Sequence, residues 1–252
     1  MAVAVAACDA STASGCVSAG IRYEDGNGVA KSDAMAASFY RRACDLHDVS
    51  GCNNLGILLE YGRGVAKDTD KAAQAYTIVC DGGQPTGCTK LAGIYLDRGT
   101  PADLTKAATL LEKACAANHP LGCSNLGACY EKGLGVTKDL PRAVRTYEHA
   151  CALESAIGCW NAGSAYEHGR GVSRDLDKAA ALYEASCTGH EGDGCASLGR
   201  LVKHGVRNQS GNETRAPDLF ALACKLGVSR TGAEVLASVG ASCDASSTTI
   251  QR

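Results

Sequence analysis

Residues 115–151 read CAANHPLGCSNLGACYEKGLGVTKDLPRAVRTYEHAC, a stretch that opens and closes on a cysteine and whose pattern recurs along the chain. Twelve of the 15 cysteines form six pairs with seven intervening residues: Cys8/Cys16, Cys44/Cys52, Cys80/Cys88, Cys115/Cys123, Cys151/Cys159 and Cys187/Cys195. The first members of the pairs lie 36, 36, 35, 36 and 36 residues apart. A fixed period of this length is the mark of stacked supersecondary units, so the chain is an array.

Aligned on the glycine that precedes each second cysteine, the units share more than cysteine. An apolar run carries Ala19-Gly20, Leu55-Gly56, Leu126-Gly127, Ala162-Gly163 or Leu198-Gly199, and Tyr23, Tyr95, Tyr130 and Tyr166 follow, with Leu59 and Val202 in the other two units. That spacing gives one stripe of an amphipathic helix, helix A. It ends at Gly26-Asn27-Gly28, Gly62-Arg63-Gly64, Gly133-Leu134-Gly135 and Gly169-Arg170-Gly171, where glycine supplies the left-handed conformation that stops a helix. Asp33, Asp68, Asp103, Asp139, Asp175 and Asp218 then stand as candidate N-caps of a second helix, helix B, which runs through Tyr40, Tyr76, Leu111, Tyr147 or Tyr183 to the next cysteine.

Two residues eight apart on one continuous helix lie about 12 Å apart along its axis. A disulfide needs Cα atoms within roughly 7 Å. A bond within a pair therefore requires an intervening turn, and Asp45–Gly51, Asp81–Gly87 and Thr188–Gly194 carry turn residues without apolar periodicity. Each pair would then staple helix B to the next helix A. The alternative is reduced, buried thiols acting as small hydrophobes. Zinc is disfavoured by the seven-residue gap and the lack of a regular histidine partner, and CxxCH is absent. No metal and no cofactor is expected.

The pattern Leu-Gly-x-x-Tyr, Gly-x-Gly-Val, Asp-x-x-Lys-Ala and Tyr resembles Sel1-like repeats, relatives of the tetratricopeptide repeat. The added Ala-Cys-x7-Cys is similar to their cysteine-rich subclass, which includes the Helicobacter cysteine-rich proteins. The resemblance implies one disulfide per repeat, a secreted or periplasmic setting, and an all-α, right-handed α/α solenoid of helix hairpins. Residues 1–14 read as the remnant of a helix B, and 15–50, 51–86, 87–121, 122–157 and 158–193 as repeats one to five. Residues 194–231 read as a degenerate sixth repeat, and 232–252 as a capping helix over Ala233–Gly240 and a tail.

Three units carry features of their own. The third is one residue short and has Arg98-Gly99-Thr100-Pro101 in place of the glycine loop, while the sixth carries a polar insertion, Arg207–Arg215. In the fourth, Cys129 keeps mostly apolar company in its register, which predicts a buried structural thiol. A helix over Ala233–Cys243 would hold Cys224 and Cys243 about 15 Å apart, which argues against their pairing. Val5-Ala6-Ala7 before Cys8 resembles the end of a lipoprotein signal, but no basic or sufficiently long apolar segment precedes it, and the repeat register assigns Cys8 to Cys16.

Function is less legible. A balance of 25 Lys+Arg against 27 Asp+Glu gives no general attraction to nucleic acid or an anionic membrane, and no apolar run approaches a membrane span. S-x-x-K, G-x-S-x-G, Walker A and zincin patterns are all missing. The third position after the unit glycine is polar throughout: Ser18, Asn54, Lys90, Asn125, Asn161 and Ser197. By analogy with tetratricopeptide arrays helix A lines the concave side, where Asn54, Asn125 and Asn161 suit an extended peptide backbone, because an amide both donates and accepts. Tyr61, Trp160, Ser164 and His168 extend that candidate groove, with a solvated face as the alternative. The expectation is a non-catalytic scaffold for a protein or peptide in an oxidising extracytoplasmic compartment. The resemblance also implies two competitors: a slow β-lactamase or penicillin binder with a cell-wall or β-lactam-like ligand, and a mitochondrial-type assembly factor.

Overall fold

A computed structural model describes residue 8 and residues 12–206 and 212–243. Among these, thirteen helices and no strand occur. They are α1 Ala13–Asp25, α2 Asp33–Asp45, α3 Val49–Tyr61, α4 Thr69–Asp81, α5 Pro85–Arg98, α6 Pro101–Ala116, α7 Pro120–Lys132, α8 Leu140–Ala152, α9 Ala156–His168, α10 Leu176–Thr188, α11 Gly192–Lys203, α12 Asn212–Leu226 and α13 Arg230–Ser238. The chain divides into two compact units, Met1–Ala114 and Cys115–Arg252.

In the first unit α1 to α5 pack consecutively. Its core alternates small and large apolar side chains, Ala36, Ala72 and Ala107 beside Tyr40, Tyr76 and Leu111, all fully buried. Small residues let the helices approach closely, and the larger side chains fill the remaining space. In the second unit α7 to α12 pack in the same consecutive manner, and α13 lies against α11. Tyr183, Leu198, Phe220 and Leu236 centre the core at its C-terminal end.

Local chemistry explains where the helices begin and end. Gly26, Gly62, Gly99, Gly133 and Gly169 cap helix A in the left-handed conformation, with φ between 66° and 77°. Gly64 is required for a second reason, since a Cβ there would stand 2.2 Å from the backbone carbonyl carbon of Asp33. Asp68, Asp139 and Asp175 accept the amide hydrogens of Lys71, Arg142 and Lys178 at 2.9–3.0 Å.

The other three expected caps are corrected. Ser32 rather than Asp33 takes the extended cap conformation and accepts from Met35 N, so Asp33 is the first helical residue. Thr100 accepts from Asp103 N and binds the Asp103 carboxylate at 2.8 Å, so the third helix B starts two residues before Asp103. Asp218 lies inside α12, because part of the polar insertion is helical; residues 207–211 of that insertion lie outside the described residues.

All six cysteine pairs are bonded, Cys8 to Cys16, Cys44 to Cys52, Cys80 to Cys88, Cys115 to Cys123, Cys151 to Cys159 and Cys187 to Cys195, with Cα atoms 4.3–4.6 Å apart. The intervening turns are shorter than the expected Asp45–Gly51, Asp81–Gly87 and Thr188–Gly194. Helix A already begins at Val49, Pro85, Ala156 and Gly192, so Cys52, Cys88, Cys159 and Cys195 lie within its first turn and not on the edge of a loop. At two of these starts an early cap is the reason, since Asp48 and Ser155 accept from Gly51 N and Gly158 N, which draws the glycine itself into the helix; α5 and α11 begin without a side-chain cap bond, α5 on Pro85. What remains between the helices turns on one left-handed residue three positions after the first cysteine: His47, Gly83, Asn118, Glu154 or His190.

A seventh bond joins Cys224 to Cys243 at a Cα distance of 5.2 Å, against the expectation. The capping helix runs over Arg230–Ser238, started by the Ser229 hydroxyl, rather than over Ala233–Gly240. Gly240 takes φ 74° and Ala241 N returns to Leu236 O, so the chain doubles back and carries Cys243 to Cys224. Among the described residues Cys129 is the one free cysteine, and it is fully buried.

Helix α7 is capped by a titratable ring, with His119 Nδ1 accepting from Gly122 N at 3.1 Å. Burial holds the His119 pKa below its ordinary value of about 6.5. The folded state thus favours the neutral, accepting imidazole, and the unfolded chain binds the proton more readily. This contribution is present above about pH 6.5 and is lost as the pH falls below it. The melting temperature is expected to drop more between about pH 7.5 and pH 5 in the parent chain than in His119→Asn, whose amide oxygen caps at either pH. Equal drops would remove His119 as the cause.

Candidate functional site

Each regular hairpin is closed by a polar brace that the period alone does not reveal. The helix A glycine has no side chain because the helix B tyrosine ring lies on it: a Cβ would come within 2.4–2.9 Å of the ring at Gly20, Gly56, Gly127 and Gly163. One helical turn further along the same face, a glutamate accepts the tyrosine hydroxyl. The bonds are Tyr40 to Glu24 at 2.7 Å, Tyr76 to Glu60 at 2.6 Å, Tyr147 to Glu131 at 2.8 Å and Tyr183 to Glu167 at 2.7 Å. Burial, helped by the adjacent carboxylate, pushes all four phenols above their ordinary range, so they stay protonated donors.

Three of the four glutamates also bind an arginine of the following repeat. Arg63 Nη2 donates to Glu24 at 2.7 Å, and Arg200 pairs with Glu167. Arg170 lies 3.3 Å from Glu131, near enough for an ion pair though not aligned as a hydrogen bond. In each case tyrosine takes Oε2 and arginine takes Oε1. Each of these glutamates thus ties its own hairpin to the next.

The expected groove residues distribute over both units. In the first, half-buried Asn54 accepts from Asn53 Nδ2 at 3.3 Å, while Tyr61 is 65% exposed. In the second, α7 presents half-buried Asn125, and α9 carries Trp160, Asn161, Ser164 and His168. Trp160 Nε1 donates to Ser197 Oγ at 3.3 Å. Ser164 is buried beneath Arg170, whose Nη2 donates to its hydroxyl at 3.1 Å, and its carbonyl lies 2.9 Å from Nδ1 of exposed His168. Ser164 is therefore committed to the internal network.

Two concavities accompany these helices. One of about 710 Å³ in the second unit is lined by Tyr130, Lys138, Asp139, Arg142 and Gly171 among others, with the Arg142 guanidinium 4.2 Å from the Tyr130 ring centroid. One of about 450 Å³ in the first unit is lined by Glu60, Tyr61, Lys67, Thr69, Ile94, Asp97 and Arg98. Cysteine contributes to neither: Cys52, Cys88, Cys159 and Cys195 are at most 3% exposed, so these members of the staples belong to the core and offer no surface to a ligand. Ligand atoms of Cys115, Cys123 and His149 lie within 4.8 Å of one another, yet both sulfurs are spent in a disulfide and are not thiolates. Burial pushes the Cys129 thiol up to about 11, so it is not a nucleophile at neutral pH.

The Sel1 repeat family matches residues 13–48, 49–74, 85–119, 120–155 and 156–189. The chain belongs to this family. The match ends at residue 189; beyond it, Phe220 and Lys203 stand where the braced hairpins carry tyrosine and glutamate. A protective antigen present in uropathogenic Escherichia coli strains, with an SLR fold, aligns over 94% of this chain at 20% identity and a TM-score of 0.77; the chain spans 52% of that protein. A Sel1 repeat protein from Oxalobacter formigenes aligns over 84% of this chain and 85% of its own at 22% identity, with a TM-score of 0.76. Helicobacter pylori cysteine-rich protein B is 33% identical over 52% of this chain and 96% of its own, with a TM-score of 0.44. No curated protein matches the sequence. Seven disulfides among the described residues of a Sel1 chain imply an oxidising, extracytoplasmic compartment. Among the described residues no helix is long and apolar enough to cross a membrane.

Proposed function

We propose that this Sel1 chain is a non-catalytic scaffold, secreted or periplasmic, that binds a protein or extended peptide along the helix A stripe. The carrying observation is the placement of Asn125 and Asn161, half-buried at one register of successive hairpins, with exposed His168 two turns beyond Asn161. Half-burial keeps an amide ordered yet reachable, and its paired donor and acceptor match a peptide group. The frame beneath is stiffened by disulfides and by the glutamate brace, so ordering this surface costs little at the moment of binding. Buried, protonated Cys129 and phenols offer no activated nucleophile, which supports the non-catalytic reading.

The test uses a random peptide display library panned against the oxidised chain. Selected peptides are expected to bind the Asn125→Ala/Asn161→Ala variant more weakly, with its melting temperature unchanged. Equal binding by parent and variant would remove the groove assignment. A chromogenic β-lactam assay tests the non-catalytic part: release of no more than one equivalent per chain is expected, and repeated turnover would overturn it.

A further inference from the structure

One of the four tyrosine-bound glutamates differs from the rest. Glu60 accepts the Tyr76 hydroxyl on Oε2, as its counterparts do, but among the described residues no cation lies within ion-pair distance of its Oε1. Both sources of that arginine are altered in the third repeat. The residue after the helix-capping glycine is Arg63 in the second repeat and Arg170 in the fifth, but Thr100 in the third, where α6 begins at once. The helix A position from which Arg200 reaches Glu167 is occupied here by Gly93, and a Cβ on Gly93 would meet nothing within 4 Å. The cavity of about 450 Å³ described above lies against Glu60.

We propose that this cavity receives the guanidinium of an arginine side chain from a partner protein or peptide. Glu60 Oε1 accepts its N–H groups as Glu24 and Glu167 accept Arg63 and Arg200 within the chain. Asp97 supplies a second carboxylate, exposed Tyr61 a ring face, and Ile94 an apolar surface for the methylenes. The nearby cations do not fill the position. Arg98 is engaged by Asp70 and lies 5.5 Å from the Tyr95 ring centroid, and Lys90 rests 5.5 Å from the Tyr76 ring centroid. Lys67 holds a register that is Lys31, Lys138 and Arg174 in the other repeats, where a basic residue coexists with the inserted arginine. A guanidinium suits the site better than an ammonium because its planar fork matches a carboxylate and stacks on an aromatic face.

This assignment rests on the partner-binding reading and deepens it by naming the side chain recognised. The test titrates the isotopically labelled, oxidised full chain with N-acetyl-arginine methylamide and follows backbone amide shifts. Saturable shifts are expected at Glu60, Tyr61, Ile94 and Asp97. Glu60→Gln keeps an acceptor for Tyr76 and is expected to weaken binding on the order of tenfold, as is replacement of the probe by its neutral citrulline analogue. Asp97→Asn, on the cavity wall, serves as a second variant that leaves the Tyr76 bond intact. Absence of saturable shifts, equal binding of the citrulline analogue, or undiminished binding in both variants would overturn the proposal. The probe is a small molecule, and Glu60 lies in the other unit from Asn125 and Asn161, so failure here and failure of the groove assignment are read separately.

Discussion

The oxidised chain is expected to melt cooperatively, and full reduction of its disulfides is expected to abolish that transition. In the chain-entropy picture, closing a nine-residue loop contributes about 2.5 kcal/mol, and the longer loop between Cys224 and Cys243 about 3.3 kcal/mol. Domains are stable by only about 5–15 kcal/mol, so losing several such constraints together exceeds what packing retains. The effect is steeper here than in a globular core because repeats hold mainly to their neighbours. Circular dichroism melts with and without reductant measure it, and an unchanged midpoint after complete reduction would refute it. Removing one staple by Cys151→Ala/Cys159→Ala is expected to cost about 2–3 kcal/mol in urea denaturation. A thiol count on the unfolded, non-reduced chain supplies the control, with one thiol expected, that of Cys129.

Glu167→Ala is expected to be the most damaging single substitution, lowering stability by about 2–4 kcal/mol. The Glu167 side chain is 8% exposed and accepts both Tyr183 and Arg200. Its removal leaves a buried hydroxyl without its carboxylate and an arginine without its counter-charge. The figure sits below the full range for a buried pair because the Arg200 side chain is 21% exposed and water recovers part of the loss. Glu60→Ala, which orphans only Tyr76, should cost less. Combining Glu167→Ala with Tyr183→Phe should recover part of the loss, since the hydroxyl then no longer needs an acceptor. Urea midpoints of the three variants test the assignment: equal losses in Glu167→Ala and Glu60→Ala would remove the arginine from the account.

The hairpin period is legible because it is written six times in cysteine and glycine and four times in tyrosine, and repetition separates signal from local noise. The brace was not, because its partners stand 16 residues apart within a hairpin and 33 to 39 apart between hairpins. A signal did exist. Glutamate occupies its position only in repeats whose helix B carries tyrosine: Leu96 accompanies Leu111 with Ala92 in place of the glycine, and Lys203 accompanies Phe220. The turns before Cys52, Cys88 and Cys195 read too long because apolar periodicity starts only after the cysteine, whereas the helix starts three residues before it. The bond between Cys224 and Cys243 escapes a reading that carries the last helix on to Cys243, because the helix ends at Ser238 and Gly240 turns the chain back. Ser164 shares a helix face with Asn161, but whether Arg170 folds over it depends on the loop that follows, which a face pattern does not encode.

The short reach of the staples has a consequence for biogenesis. Each of the six junction disulfides joins a cysteine to the next one in the chain, only eight residues on. As the polypeptide emerges N-terminus first into an oxidising space, the next cysteine to follow the first member of each pair is its correct partner. Oxidation can therefore keep pace with translocation, repeat by repeat, with no reshuffling of earlier bonds. Cys129 is the sole interloper in that order, and the core of its own helix hairpin takes it out of reach.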